Sequence, residues 1–263
     1  MPSDDIATMT RDRPVRDLIC RLRRTNGLLA VAHATQAGLM LALTNARSLP
    51  VTGAFGNGPP GQPDGPIELE RLFSYRIGWA TAAFSLLSAV FHAVVASRWG
   101  FPRYRQELEH GRNRFRWVEY SLSASLMIVL IAGIVGITDI AALISLFAVN
   151  AVMILFGWLQ ETSNPPGQPV RWTPFVFGCL AGVAPWLAIG VYLVNANGDV
   201  PTFVYGIFVS LFVLFNGFAV NQLLQYRRRG RWHDYLFSER AYMALSFVAK
   251  SALAWQIFVN VLI

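Results

Sequence analysis

Seven stretches of about 20 or more predominantly apolar residues, each long enough to cross a bilayer as a helix, run through this 263-residue chain. They fall at roughly 25–46, 72–97, 115–137, 140–160, 173–195, 202–226 and 237–262. Lipid offers no hydrogen bonds, so a spanning backbone must satisfy its own polar groups, as a helix or as a closed barrel. These runs are long and show no period-two alternation, which favours a helical bundle over a barrel. The reading is an all-α membrane protein, a seven-transmembrane-helix bundle. Composition agrees. Hydrophobic residues make up 54% and charged residues 14%, against about 25% charged in soluble domains, and the mean hydropathy is +0.41. Gly and Pro cluster at the breaks, in Pro50 to Pro66, Trp99-Gly100-Phe101-Pro102, Asn164-Pro165-Pro166-Gly167 and Asn197-Gly198-Asp199. The basic run RRRGRWHD separates the last two spans.

Arginine orients the bundle. Seven spans place 18 arginines on the side of the N-terminus and 3 on the other. The positive-inside rule then sets the N-terminus in the cytoplasm and the C-terminus outside. The expected organisation is a cytoplasmic segment, 1–24, and a seven-helix domain, 25–263, with an extracellular loop at 47–71. The opening MPSDDIATMTRDRPVRD lacks the apolar core of a cleaved signal peptide, so the first span is expected to serve as insertion signal into the cell membrane. The formal net charge of +7 is read as topology signals facing anionic lipid. No nucleic-acid motif or Gly-rich phosphate loop is present, and no nucleic-acid partner is expected. Cys20 and Cys179 suggest no disulfide framework, and neither has neighbours at metal-ligand spacing.

The chain has one lysine, Lys250, in the middle of its last apolar run among Phe247, Val248, Ala249, Ala252 and Leu253. An ammonium at the centre of a spanning helix costs about 2.5–3.5 kcal/mol on insertion scales. A buried amine is suited to Schiff-base formation with an aldehyde. Most acidic residues, Asp139, Glu161, Asp199 and Glu239 included, lie in loops or at span ends, whereas Glu119 penetrates the third span. Lys250 and Glu119 are natural partners, since each offsets part of the other's desolvation cost. They make either a functional pair or an ion pair that fixes helix packing. His33 and His92 lie at the depth of Glu119, as proton acceptors or as helix-to-helix hydrogen-bonding groups. Ser246 is one turn before Lys250 on the same face, and Ser123 shares the face of Glu119. Tyr120, Phe208, Phe212, Phe215, Phe218 and Trp255 would suit the walls of a flat polyene site or an ordinary core.

With seven spans, SFVAKSALAW in the last and WVEYSLSAS in the third, the chain resembles the microbial rhodopsins. The cytoplasmic N-terminus, with His33 and Gln36 in HATQ, resembles the heliorhodopsins in particular. The likeness covers all seven helices. It implies all-trans retinal bound covalently to Lys250 as a protonated Schiff base. It also implies Glu119 as the sole carboxylate counterion, and Ser246 where pumps of the superfamily carry a second acid. Tyr120, Ser123, Met127, Asn150 and Phe215 match positions that line the retinal pocket. His33, His92 and Gln36 would belong to a cytoplasmic-side network that receives the proton. The 47–71 loop would form a hairpin that helps a homodimer, and Gly178-xxx-Gly182 would suit either that interface or packing inside one bundle.

In the third span the position 11 residues after Glu119 is Leu130, and Leu126 to Ile137 is apolar throughout. A proton pump needs a connected path, so no efficient pumping is expected. The leading expectation is a photoreceptor that signals to a cytoplasmic partner through the 98–116 and 227–231 loops. A light-gated proton channel or weak ion transporter, and a retinal-free seven-helix protein, are the rivals. Enzymatic chemistry is the least supported, because no metal cluster or Ser/His pair with a carboxylate lies in the spans. The arginine asymmetry sets an outcome for a reporter that works only in the cytoplasm: active when fused to the N-terminus, silent at the C-terminus.

Overall fold

The computed structural model describes residues 3–56, 58–59, 69–196 and 200–262, with side chains described from residue 17 onward. The Asn197-Gly198-Asp199 break and most of 57–68 lie outside the described residues. The elements run α1 (Ser3–Leu43), β1 (Ser48–Ala54), β2 (Leu69–Arg76), α2 (Ile77–Ala96), α3 (Phe101–Glu109), α4 (Arg114–Ile134), α5 (Ile140–Thr162), α6 (Thr173–Val194), α7 (Thr202–Tyr226) and α8 (Tyr235–Ile257). A 3-10 turn (Gly230–His233) precedes α8, and a π-helical turn (Phe258–Leu262) ends it. Among the described residues, seven helices, all but α3, are long and apolar enough to cross a membrane. The protein is a multi-pass integral membrane protein.

Three boundaries differ from the sequence reading. The first helix is continuous from Ser3 to Leu43, so the division at residue 24 falls inside it. The second span starts at Ile77, because Leu69–Arg76 pairs with Ser48–Ala54 as an antiparallel hairpin. Bonds from a neighbouring strand hold this stretch extended, although its composition alone reads as the start of a span. Between the second and third spans, Phe101–Glu109 forms a short helix where a plain loop was expected. Pro102 suits its first turn, and Gly100 allows the tight approach, since a Cβ there would sit 2.0 Å from the Val94 carbonyl oxygen.

Side-chain caps start the helices that carry the site. Asn113 accepts from the Arg116 amide at 3.2 Å, Asp139 from that of Ala142 at 3.0 Å, and Asp234 from that of Leu236 at 2.9 Å. Each satisfies an N–H the helix itself leaves open. The hairpin closes one end of the bundle. The Thr52 amide donates to the Thr138 carbonyl at 2.9 Å, which ties β1 to the α4–α5 turn. Arg47 donates to the carbonyl of Val261 at 2.7 Å, and Asn45 to that of Leu262 at 3.0 Å. These bonds serve carbonyls that the end of the last helix leaves open.

The half of the bundle nearest the hairpin is packed with apolar side chains. Met40, Val51, Phe84, Met127, Ile128, Leu130, Ile131, Leu253 and Ile257 belong to one buried cluster. Outward positions such as Leu28, Val31, Leu180, Leu187 and Val213 are exposed, as lipid contact requires. Trp255 also faces out and packs on Phe258. Gly178 and Gly182 turn toward α5, where added Cβ atoms would meet Phe156 at 3.2 Å and the Met153 sulfur at 2.7 Å. These two glycines therefore serve packing inside the bundle. Gly157 lies under the Trp117 ring, which a Cβ would approach to 2.4 Å. Overpacking of this kind costs about 1–3 kcal/mol, so Gly157→Ala is expected to lower the thermal midpoint of the detergent-solubilised protein.

Candidate functional site

Lys250 lies near the middle of α8 and is 3% exposed. The stripe Glu239, Met243, Ser246, Lys250 repeats at four, three and four residues, so all four share one buried face of α8. Lys250 Nζ is 3.0 Å from Glu119 Oε1 and donates to Ser246 Oγ at 2.6 Å. Its charge also rests over the Tyr120 ring, 4.9 Å from the centroid. Opposite, on α2, Ser88 Oγ donates to Glu119 Oε1 at 2.6 Å. One carboxylate oxygen thus takes both the ammonium and a hydroxyl, which holds the buried charge pair in place. Ser88 was not singled out in the sequence. It lies one turn before His92 on α2, and serines are common in spans, so nothing in the pattern marked it.

The histidines sit beside this pair. His33 and His92 stack at 5.7 Å between ring centroids, and Phe247 meets His33 edge-on at 5.3 Å. His92 Nδ1 lies 2.7 Å from Asn26 Oδ1. Gln36 donates to Ser85 Oγ at 3.1 Å and accepts from Ser251 Oγ at 2.9 Å, joining α1, α2 and α8. Tyr120 Oη donates to the Tyr242 carbonyl at 2.9 Å, and Asn150 donates to Ser125 Oγ at 3.0 Å. Ser123 and Met127 are fully buried on α4.

A cavity of about 870 Å³ opens between α5, α6 and α7. Trp186 is its aromatic centre, with Phe208, Phe212 and Phe215 edge-on around it at 5.4–5.7 Å. Phe218 lines the cavity and packs edge-on against Tyr120 at 5.4 Å, so two rings in contact, Phe218 and Tyr120, lead from the cavity to the amine of Lys250. Of the pocket residues expected from sequence, Phe215 lines this cavity. Tyr120, Ser123, Met127 and Asn150 lie outside its wall. Trp186, Met153 and Ile154 line it and were not anticipated, because wall membership depends on where helix axes meet.

A second polar centre lies toward the N-terminal end of α4. Arg116, read from the sequence as an interfacial topology charge, is buried and pairs with both Glu161 and Glu239. These two acids, placed at span ends by sequence, are also buried. Glu161 accepts from the Asn113 amide at 2.9 Å and the Trp117 indole at 2.6 Å. Glu239 accepts from the Asn113 side chain at 2.7 Å and from Tyr104 Oη at 3.1 Å. Tyr104 belongs to α3, outside the spans, and burial pushes its phenol well above the ordinary value. It therefore serves Glu239 as a proton donor in a hydrogen bond. A helix end tolerates an acid only if water or a partner solvates it. The folded packing supplies Arg116 in place of water, and sequence distance hides that.

A family model described as heliorhodopsin matches residues 22–262. Among solved structures, the chain is similar to the light-driven proton pump LR (Mac) from Leptosphaeria maculans, at 14% identity and a TM-score of 0.61. That match covers 93% of this chain and 94% of the other, and at this identity it speaks for the fold alone. No curated protein matches the chain.

Removing one partner of a buried ion pair leaves an uncompensated charge and costs about 3–5 kcal/mol. Arg116→Ala, which strands two buried carboxylates, is expected to fall in that range by thermal or denaturant unfolding.

Proposed function

The chain belongs to the heliorhodopsin family, whose members are retinal-binding, light-responsive membrane proteins, and on that premise we propose that Lys250 carries all-trans retinal as a protonated Schiff base with Glu119 as its sole carboxylate counterion. The observation that carries this reading is the buried amine of Lys250 at 3.0 Å from Glu119, linked through the Tyr120 and Phe218 rings to an aromatic cavity. The residues fit the group. The nitrogen can form an imine with an aldehyde, Glu119 balances its positive charge, and the Trp186 and Phe208–Phe218 rings suit a flat apolar chain. Bound there, retinal supplies absorption of visible light and the change of shape that follows.

The protein's own groups do the rest. Ser88 holds the Glu119 carboxylate toward Lys250 Nζ, and Ser246 accepts a hydrogen bond from that nitrogen. Ser246 is neutral, so one acid faces the charge. Phe215 walls the cavity, and Tyr120, Ser123, Met127 and Asn150 complete the retinal site on the α4 and α5 side behind that wall, while His33 and His92 form the network on the α3 side of Glu119 and Gln36 ties it to Ser85 and Ser251. The buried apolar cluster of Met127, Leu130, Ile131 and Leu253 fills the opposite half. It offers a proton no relay, which supports a sensor that does not pump efficiently over a light-gated channel or weak transporter. The N-terminus is cytoplasmic, the hairpin faces outside and contributes to a homodimer, and a cytoplasmic partner reads the signal at the arginine-rich loops.

Purified protein with retinal is expected to show a visible band that Lys250→Ala lacks. Glu119→Gln removes the negative charge that stabilises the protonated nitrogen, so its band is expected to shift to the red. A band unaffected by Lys250→Ala would sink the reading. Sustained photocurrents under voltage clamp would favour the channel instead.

A further inference from the structure

The Arg116 cluster holds one cation and two carboxylates, all 5% exposed or less. One negative charge is therefore in excess, in a setting where an unbalanced charge is costly. A proton arriving there would make the cluster neutral. The cluster communicates with the Lys250–Glu119 pair through a cavity of about 30 Å³, lined by Asn26, His92, Asn113, Arg116, Glu119 and Glu239 among others. That is room for about two waters.

The two carboxylates are not equivalent. Glu161 takes the Asn113 amide and the Trp117 indole on one oxygen, and Arg116 with the Tyr235 hydroxyl at 3.5 Å on the other. It does not line the small cavity. Glu239 does, and its hydrogen-bond donors besides Arg116 are Asn113 and Tyr104. The groups facing it are Tyr104 from α3, Arg116 from α4, Glu161 from α5, and Tyr235 and Tyr242 from its own helix, with His92 of α2 and Glu119 of α4 across the cavity. Glu239 also stands at the end of the buried stripe that begins at Lys250.

We propose that Glu239 is the resting place of the proton that the Lys250 nitrogen loses in the light, an inference that rests on the retinal-binding reading above. The Lys250 N–H bond breaks with its electron pair left on nitrogen, and an O–H bond forms on Glu239. The proton crosses by way of the small cavity past His92. Glu161 and Arg116 remain a one-to-one pair, and the return of the proton restores the dark state. Because Tyr104 binds Glu239, the same event changes the contact between α3 and α8.

Infrared spectroscopy tests this in two arms. In retinal-free protein, acidification short of unfolding is expected to raise a carboxylic acid C=O band that Glu239→Gln deletes and Tyr104→Phe shifts in frequency. In retinal-loaded protein, the light-minus-dark difference spectrum is expected to show the same band rising as the Lys250 nitrogen deprotonates, again absent in Glu239→Gln. A band that survives Glu239→Gln, or that is lost in Glu161→Gln or Glu119→Gln in its place, overturns the assignment and leaves the retinal reading standing. No visible band with retinal overturns both. A band that Tyr104→Phe leaves unmoved places the proton on another carboxyl and overturns the proposal even if Glu239→Gln fails to fold.

Discussion

A single ammonium inside an apolar bundle constrains much of this structure. Lys250 can be buried only because Glu119, Ser246 and the face of Tyr120 take the place of water around it. Each comes with obligations of its own. Glu119 needs Ser88 as a second donor, so α2 must pack closely against α4. Tyr120 needs an acceptor for its hydroxyl and finds the Tyr242 carbonyl on α8. The polar contacts that join α1, α2, α4 and α8 around Lys250 follow from solvating this charge in lipid, and the Arg116 cluster adds a second centre.

The bundle is divided by polarity along its length. On the hairpin side, interlocked Met, Ile, Leu and Phe side chains form a packed core with the hairpin across its end. On the side of the α3 helix, polar groups run continuously from Glu119 through His92 and Asn26 to Glu239 and Arg116. A change of charge at Lys250 is therefore felt toward α3 and insulated from the hairpin. This asymmetry is what the proposed reading of a light sensor rests on.

The polar clusters differ in how readily they could be found. Lys250 and Glu119 stood out because an isolated charge within a long apolar run has no other account than a partner. His33 and His92 stood out as polar rings within apolar runs at the depth of Glu119, and Gln36 through the family resemblance alone. Arg116, Glu161 and Glu239 sit at span ends, where charges ordinarily reach the interface, so nothing in composition separates a buried triad from three solvated residues. The short α3 helix decides the matter by covering them with Tyr104. Ser88 and Trp186 were likewise invisible, because small hydroxyls and aromatics occur throughout such helices.

By itself the sequence determined the class of molecule, the number of spans and the central charge pair. Those depend on the cost of placing polar groups in lipid, which is paid locally by each segment. The tertiary structure alone decided that residues 69–76 pair as a strand, that Gly178 and Gly182 face α5, and that Arg116 bridges two acids from different helices. It also decided which rings wall the large cavity. These depend on how helices far apart in sequence are rotated and spaced against one another, and no single segment carries that information.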